Sequence, residues 1–226
     1  MRLFELAGRD PDLLFSPYCW RTRFALAHKG LAAETVPWRF TEKQRLAFAG
    51  ASRVPVLEDG VRTVHDSWHI ALYLDEAYPD RPPLFPGGGH AHARFIRAWA
   101  DGVLNAGLGR LIVADIPALL DEPDHGYFVE SREQRFGMKL AEVCAGRESG
   151  VVAFRATLAP LRTVLQEAPW FGGDAPDYAD YILAGSFMWA RAVSRFAVLA
   201  DDDPVAAWFG RVLDLFDGMG RKAKTA

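Results

Sequence analysis

Residues 53–78, RVPVLEDGVRTVHDSWHIALYLDEAY, carry the pattern from which the fold is read. Val54–Glu58 and Val61–His65 are short apolar runs separated by Asp59-Gly60, and Asp-Gly between such runs is a strong signal for a tight hairpin turn. From Ser67 to Tyr78 the apolar residues Trp68, Ile70, Ala71, Leu72 and Leu74 take the spacing of a helix packed on a sheet. Towards the N-terminus, Arg2–Leu6 reads as an apolar strand and Pro17–Lys29 as a helix closed by Gly30. Glu34–Trp38 reads as a second strand and Thr41–Ala49 as a short helix. The order is β-α-β-α-β-β-α, an α/β unit that opens with βαβ.

Beyond it the chain changes character. Residues 79–89, PDRPPLFPGGG, are too dense in proline and glycine for the interior of a helix or strand, so a domain boundary is expected there. From His90 onward strand alternation disappears, and amphipathic segments at about 90–119, 130–146, 150–167, 177–195 and 204–218 predict a helical domain. The expected organisation is an α/β domain over 1–80, a linker over 81–89 and an all-helical domain over 90–226. Asp177 and Asp180 form an acidic variant of the capping box at the start of the fourth helical segment, a folding element rather than a site. The tail, Arg221–Ala226, reads as frayed.

Composition narrows the function classes. With 226 residues, half of them hydrophobic, the chain can build real cores without metals or crosslinks. A formal charge of −3 gives no broad field to attract nucleic acid or anionic lipid, so neither partner is expected. Cys19 and Cys144 fit no zinc or disulfide framework and suit a reducing compartment. No signal peptide or membrane-length apolar run is present, and the expected location is cytoplasmic. The pairs His65/His69 and His90/His92 lack acidic or thiol partners at ligand spacing, so no metal is expected.

Three features carry chemistry, and each has a plain structural reading beside the functional one. Ser16 stands as N-cap of the first helix with Pro17 at its first position. Its hydroxyl lies where free backbone N–H groups and the helix dipole favour an anion, and a thiolate is such an anion. A charged hydrogen bond of about 1.5–3 kcal/mol would lower a thiol pKa by roughly one to two units. The alternative is a serine that only caps the helix. Val54-Pro55 opens a buried-looking strand, where a cis bond would turn the Val54 N–H and C=O outward to pair with an extended peptide. An ordinary trans proline at a strand start is the alternative. Asp66-Ser67, at the head of the third helix, offers donors to a carboxylate and an acid to an ammonium, or simply a capped helix. Among the aromatic residues, Phe95, Trp99 and Tyr127 either fill the core or line an apolar pocket, with Trp99 the strongest pocket candidate.

These features, in this order and before a helical domain, resemble the glutathione S-transferase superfamily over essentially the whole chain. SPYCWRTRFALAHKGL (16–31), RVPVLEDG (53–60) and HDSWHIALYLDEAYPDRP (65–82) are most similar to the bacterial β-etherases and related fungal transferases of the serine type. The resemblance implies a thioredoxin-like N-terminal domain, with glutathione as co-substrate and no metal. It implies that Ser16 activates the glutathione sulfur, that Val54 pairs with the cysteinyl backbone before cis-Pro55, and that Asp66 and Ser67 hold the γ-glutamyl group. Lys43 and Arg53 are candidates for the glycine carboxylate, with Gln44 a further possibility. Tyr18 and Trp99 are candidates for the pocket of a hydrophobic, aromatic electrophile, aryl-ether cleavage being the sharpest version. A homodimer is also implied. Ser-Pro-Tyr-Cys is similar to the Cys-Pro-Tyr-Cys site of glutaredoxins with its first cysteine replaced by serine, which argues against disulfide exchange and leaves a Cys19 thiol transferase or a non-catalytic carrier of aromatic ligands as alternatives.

Overall fold

The computed structural model describes residues 1–226. Strands β1 (Arg2–Leu6), β2 (Glu34–Trp38), β3 (Val56–Asp59) and β4 (Arg62–His65) form one sheet in the order β2-β1-β3-β4. β2 runs parallel to β1, while β3 is antiparallel to both β1 and β4. Helix α1 (Pro17–His28) supplies the crossover between β1 and β2, and α2 (Ser67–Ala77) follows the β3–β4 hairpin. This is the expected thioredoxin-like unit, with one difference: the segment after β2 is a 3₁₀ helix over Lys43–Ala49, of which only Leu46 is buried. A helix with one buried residue gains little packing to enforce α geometry.

The rest of the chain is helical, through α3 (His90–Trp99), α4 (Asn105–Ile112), α5 (Asp124–Phe136), α6 (Leu140–Cys144), α7 (Arg147–Thr157), α8 (Ala159–Glu167), α9 (Tyr178–Val193) and α10 (Pro204–Gly218). The first three long segments read from the sequence are subdivided, whereas 177–195 and 204–218 each correspond to one element, α9 and α10. α3 and α4 are joined by a π turn at Ala100–Leu104. Gly137, at φ 70°, ends α5 as a left-handed cap, so the expected 130–146 helix begins earlier and breaks in its middle. Pro160 starts α8 rather than continuing α7, because a proline cannot donate within a helix.

One contiguous core of 52 buried residues runs through both parts, so they are packed as one body. The contact is tightest where α1 lies on α9. A Cβ on Gly185 would sit 2.4 Å from the Pro17 carbonyl oxygen, so only glycine lets the helices approach this closely. Where the chain passes from α2 to α3 it is also tied down. Asp75 accepts from the Leu84 and Phe85 N–H groups and pairs with buried Lys29, while His28 bonds Tyr181 and the Pro83 carbonyl. The C-terminal residues are not frayed. Lys224 pairs with Asp10, Arg221 pairs with Asp214, and the Ala226 N–H donates to the Ala192 carbonyl. Those charges and the backbone bond replace the apolar anchors whose absence suggested a loose tail. No helix is long and apolar enough to cross a membrane.

Candidate functional site at the interface of the two parts

The sheet register assembles the site. Phe4 pairs with Val56 in the antiparallel β1–β3 ladder, and continuing that register brings Val54 to the Leu6 end of β1. There the Phe15 N–H bonds the Leu6 carbonyl and hands the chain to Ser16. On the other side of β3, Val56 pairs with His65, and the Asp66 N–H donates to the Pro55 carbonyl at 3.2 Å. The strands thus bring Ser16, Val54 and Asp66, from three separate turns, to one end of the two central strands.

Ser16 is the N-cap of α1, 5% exposed, and its oxygen accepts the Cys19 N–H at 3.3 Å. Pro17 has no N–H, and the first turn of α1 holds no acidic residue, so the helix carries no acid of its own at its positive end. The Ser16 hydroxyl donates no hydrogen bond to a protein oxygen or nitrogen. Cys19 beside it is 1% exposed, and burial, helped by the Glu5 carboxylate, pushes its thiol up to about 12 against weaker opposing contacts from Ser16 and the Leu6 backbone. A thiol held there stays protonated and sealed from solvent at neutral pH.

The Val54–Pro55 bond is cis, and neither the N–H nor the C=O of Val54 engages in a hydrogen bond. Asp66 holds φ 71°, an unusual backbone for a non-glycine residue, kept in place by its capping bonds. Its Oδ1 accepts from the Trp68 and His69 N–H groups, leaving Oδ2 without a protein donor. Ser67 is buried, with its carbonyl taken by the Tyr178 hydroxyl at 2.6 Å and its own hydroxyl unpartnered. This end of the strands therefore offers a peptide-like pairing position flanked by an acid oxygen and hydroxyl on one side and a helix N-terminus on the other.

Across the cleft stand residues the sequence reading did not reach. Arg21, one turn after Tyr18 and 1% exposed, bonds Asp101 in the π turn at 2.7 Å and lies over the Tyr18 ring at 4.7 Å. Asn105, four residues on, donates to the same Asp101. The π turn inserts an extra residue, and Asp101 and Asn105 both reach the Arg21–Tyr18 position. Arg21 Nε and Asn105 Oδ1 are buried without partners, one donor and one acceptor awaiting solvent or ligand. Tyr18 is 38% exposed, and burial with the Asp101 charge raises its phenol against Arg21, Asn105 and Arg135. Trp99, by contrast, is partly buried against the core. Arg21 lay inside the SPYCWR motif, and its partner was hidden because the pair spans eighty positions.

Lys43 and Arg53 both stand exposed on this side without ion-pair partners, Lys43 with its ammonium 4.9 Å from the Tyr127 ring centre. Helix α5 closes over them. Phe40 packs on Tyr127 and Phe128, the buried Asp124 carboxylate accepts the Thr41 N–H at 2.8 Å, and the Arg132 guanidinium lies 5.3 Å from the Phe40 ring and 4.7 Å from the Phe128 ring. Burial pulls Arg132 down to about 10, and the Arg135 and Arg53 charges press the same way. Two cavities lie elsewhere and touch none of Ser16, Val54, Pro55, Asp66 or Ser67. One, of about 680 Å³, lies between Trp20, Arg23 and the C-terminal residues; the other, of about 320 Å³, lies between α9 and α10.

Comparison with known proteins supplies the context for this geometry. Residues 91–214 match the family model described as glutathione S-transferase, C-terminal domain, and residues 15–77 match glutathione S-transferase, N-terminal domain. The glutathione S-transferase-like protein ustS of Aspergillus flavus is 34% identical over 141 residues, 56% of this chain and half the length of that protein. Among solved structures, glutathione transferase GSTFuA3 from Phanerochaete chrysosporium is similar at 26% identity and TM-score 0.76, with 98% of this chain and 94% of that one covered. CsGST83044 of Ceriporiopsis subvermispora, solved in complex with glutathione, is 26% identical at TM-score 0.73, with coverage of 97% and 94%.

Proposed function

The chain belongs to the glutathione S-transferase family, and from that premise we propose that it is a serine-type transferase in which Ser16 activates the thiol of bound glutathione. The observation that carries this is the head of α1: a capping hydroxyl that donates to no protein oxygen or nitrogen, on a helix end with no acid of its own, beside the unbonded backbone of Val54. An extended cysteinyl residue pairing with Val54 beside cis-Pro55 would carry its sulfur towards Ser16. Asp66 Oδ2 would take the γ-glutamyl ammonium, and Ser67 with the α2 N-terminus the γ-glutamyl carboxylate. Lys43 and Arg53 would hold the glycine carboxylate.

Free thiols ionise near pH 8.5, so the hydrogen bond and helix dipole at Ser16 matter because they enrich the reactive form at neutral pH. The thiolate then attacks an electrophilic carbon of an apolar, aromatic co-substrate held near Tyr18 and Trp99, and the leaving group departs with its bonding pair. For an aryl ether, the version suggested by the β-etherase-like motifs, that leaving group is a phenolate. The protein supplies orientation and electrostatics rather than a covalent nucleophile. The domain limits 1–80 and 90–226, with 81–89 between them, and assembly as a homodimer complete the proposal. Exposed Phe48, Val61 and Phe95 would be covered by a second copy.

The test is the ultraviolet thiolate absorbance of glutathione titrated into wild type and Ser16→Ala between pH 5 and 9. A thiolate band arriving one to two pH units early and lost in the variant is the expected result. An unshifted thiol on bound glutathione would leave Ser16 a helix cap and make the protein a carrier.

A further inference from the structure

On one face of α5, at i, i+4 and i+7, stand Phe128, Arg132 and Arg135. The Arg132 guanidinium lies against both the Phe40 and Phe128 rings, which pack on each other, and its only hydrogen bond is to the neighbouring Ser131 hydroxyl. Arg135, a turn further on and exposed, is close enough for its charge to be felt at the Tyr18 phenol. Neither arginine has a carboxylate partner, and neither do Lys43 and Arg53 across the cleft. Asp101, the acid on the Tyr18 side, is spent on Arg21. Four cations from two parts of the chain therefore stand without a carboxylate partner of their own.

Glutathione, on the function proposed above, answers only part of this. Its γ-glutamyl end is a zwitterion assigned to Asp66, Ser67 and the α2 terminus, and its single glycine carboxylate is matched by Lys43 and Arg53. Two guanidinium groups on the helical side are left over. A guanidinium pairs with a planar carboxylate through two parallel hydrogen bonds, and beside aromatic rings the low dielectric strengthens such a pair. We infer that the electrophile this enzyme takes is an aromatic compound bearing a carboxylate, its ring against Tyr18 and its anionic group on Arg135 and Arg132.

The inference rests on the glutathione reading, and the test keeps the two apart by measuring binding of conjugates rather than turnover. Three probes are titrated calorimetrically into the full-length protein: S-methylglutathione, S-(4-methylbenzyl)glutathione and S-(4-carboxybenzyl)glutathione. Wild type is expected to bind the carboxybenzyl conjugate at least tenfold more tightly than the methylbenzyl one, with the difference shrinking as salt is raised. Arg135→Gln, at an exposed position, should abolish most of that preference, Arg135→Lys should keep part of it, and Arg132→Gln should reduce it. Equal affinity of the two benzyl conjugates in wild type overturns the inference. So does an equal loss for all three probes in both glutamine variants, which would assign the arginines to the tripeptide. Failure of S-methylglutathione itself to bind would instead overturn the glutathione reading, and this inference with it.

Discussion

Helices α1 and α9 both start at a side-chain cap, and the two caps are finished to opposite degrees. At α9, Asp177 accepts the Ala179 N–H, and the buried Asp180 carboxylate accepts from Phe171, Gly172 and Asp177 N–H groups and from the Trp208 indole. Every donor near that helix end is answered from within the protein. At α1 a neutral serine meets one N–H, a proline contributes none, and no acid follows. The α9 cap closes its electrostatics within the protein, whereas the α1 cap leaves a positive end open, the place where a thiolate is proposed to sit.

The difference can be broken experimentally at either end. The largest effect is expected from Asp180→Ala, which strands four donors and should cost about 3–5 kcal/mol in urea unfolding while leaving the pKa of bound glutathione unchanged. A pH series sharpens the same point. Burial raises Asp180 to about 6 despite its four donors. The folded chain thus holds this proton more tightly than the unfolded one, and stability present at low pH is lost as pH rises from about 4 to about 6. Asp180→Asn, measured beside wild type, should lack that slope.

Ser16→Ala should show the converse: a loss of about 10–100-fold in kcat/KM, equal to the proposed one to two units of thiol pKa, for only about 1 kcal/mol of stability. Gly185→Ala joins the two regions, since the added methyl on α9 meets the first-turn carbonyl of α1. About 1–3 kcal/mol of destabilisation is expected, and with it a partial return of the glutathione pKa towards its free value. If stability falls and the pKa does not move, the α1 cap is insensitive to its packing. The smallest effect is expected from Cys19→Ala. The buried thiol should resist alkylation in the native wild type at pH 7, and the substitution should cost about 1 kcal/mol with little change in kcat/KM.

The α/β unit was legible in the sequence because its signals are local. Asp59-Gly60, the serine and proline at the head of α1, the run of apolar residues in α2 and the Asp177/Asp180 box each act within a few positions, and each lies where it was expected except that the hairpin turns at Gly60-Val61, one residue on, with Asp59 paired to Arg62 in the ladder. The helical half was read at lower resolution. Periodicity marks a helix but not the π turn at Ala100–Leu104 or the point at which Gly137 or Pro160 divides two helices. Candidate site residues followed the same rule. Ser16, Val54 and Asp66 sit in recognisable turns, whereas Arg21 gains meaning only from Asp101, and Arg132 only from Phe40. Such pairs leave no spacing to read because the fold, not the local chain, makes them neighbours.

The junction of α1 with the helical half also bears on how this molecule can be recombined. Pro17 rests on Gly185, Arg21 is anchored by Asp101, and the Ser67 carbonyl receives the Tyr178 hydroxyl. The part that would bind the tripeptide is thus keyed to its companion at these three points beside the site, as well as by His28 on Tyr181 and Thr41 on Asp124. A chimera that grafts another helical half onto residues 1–80 inherits a working thiol site only if glycine, aspartate and tyrosine arrive at those three places; without them, the seam itself becomes the defect.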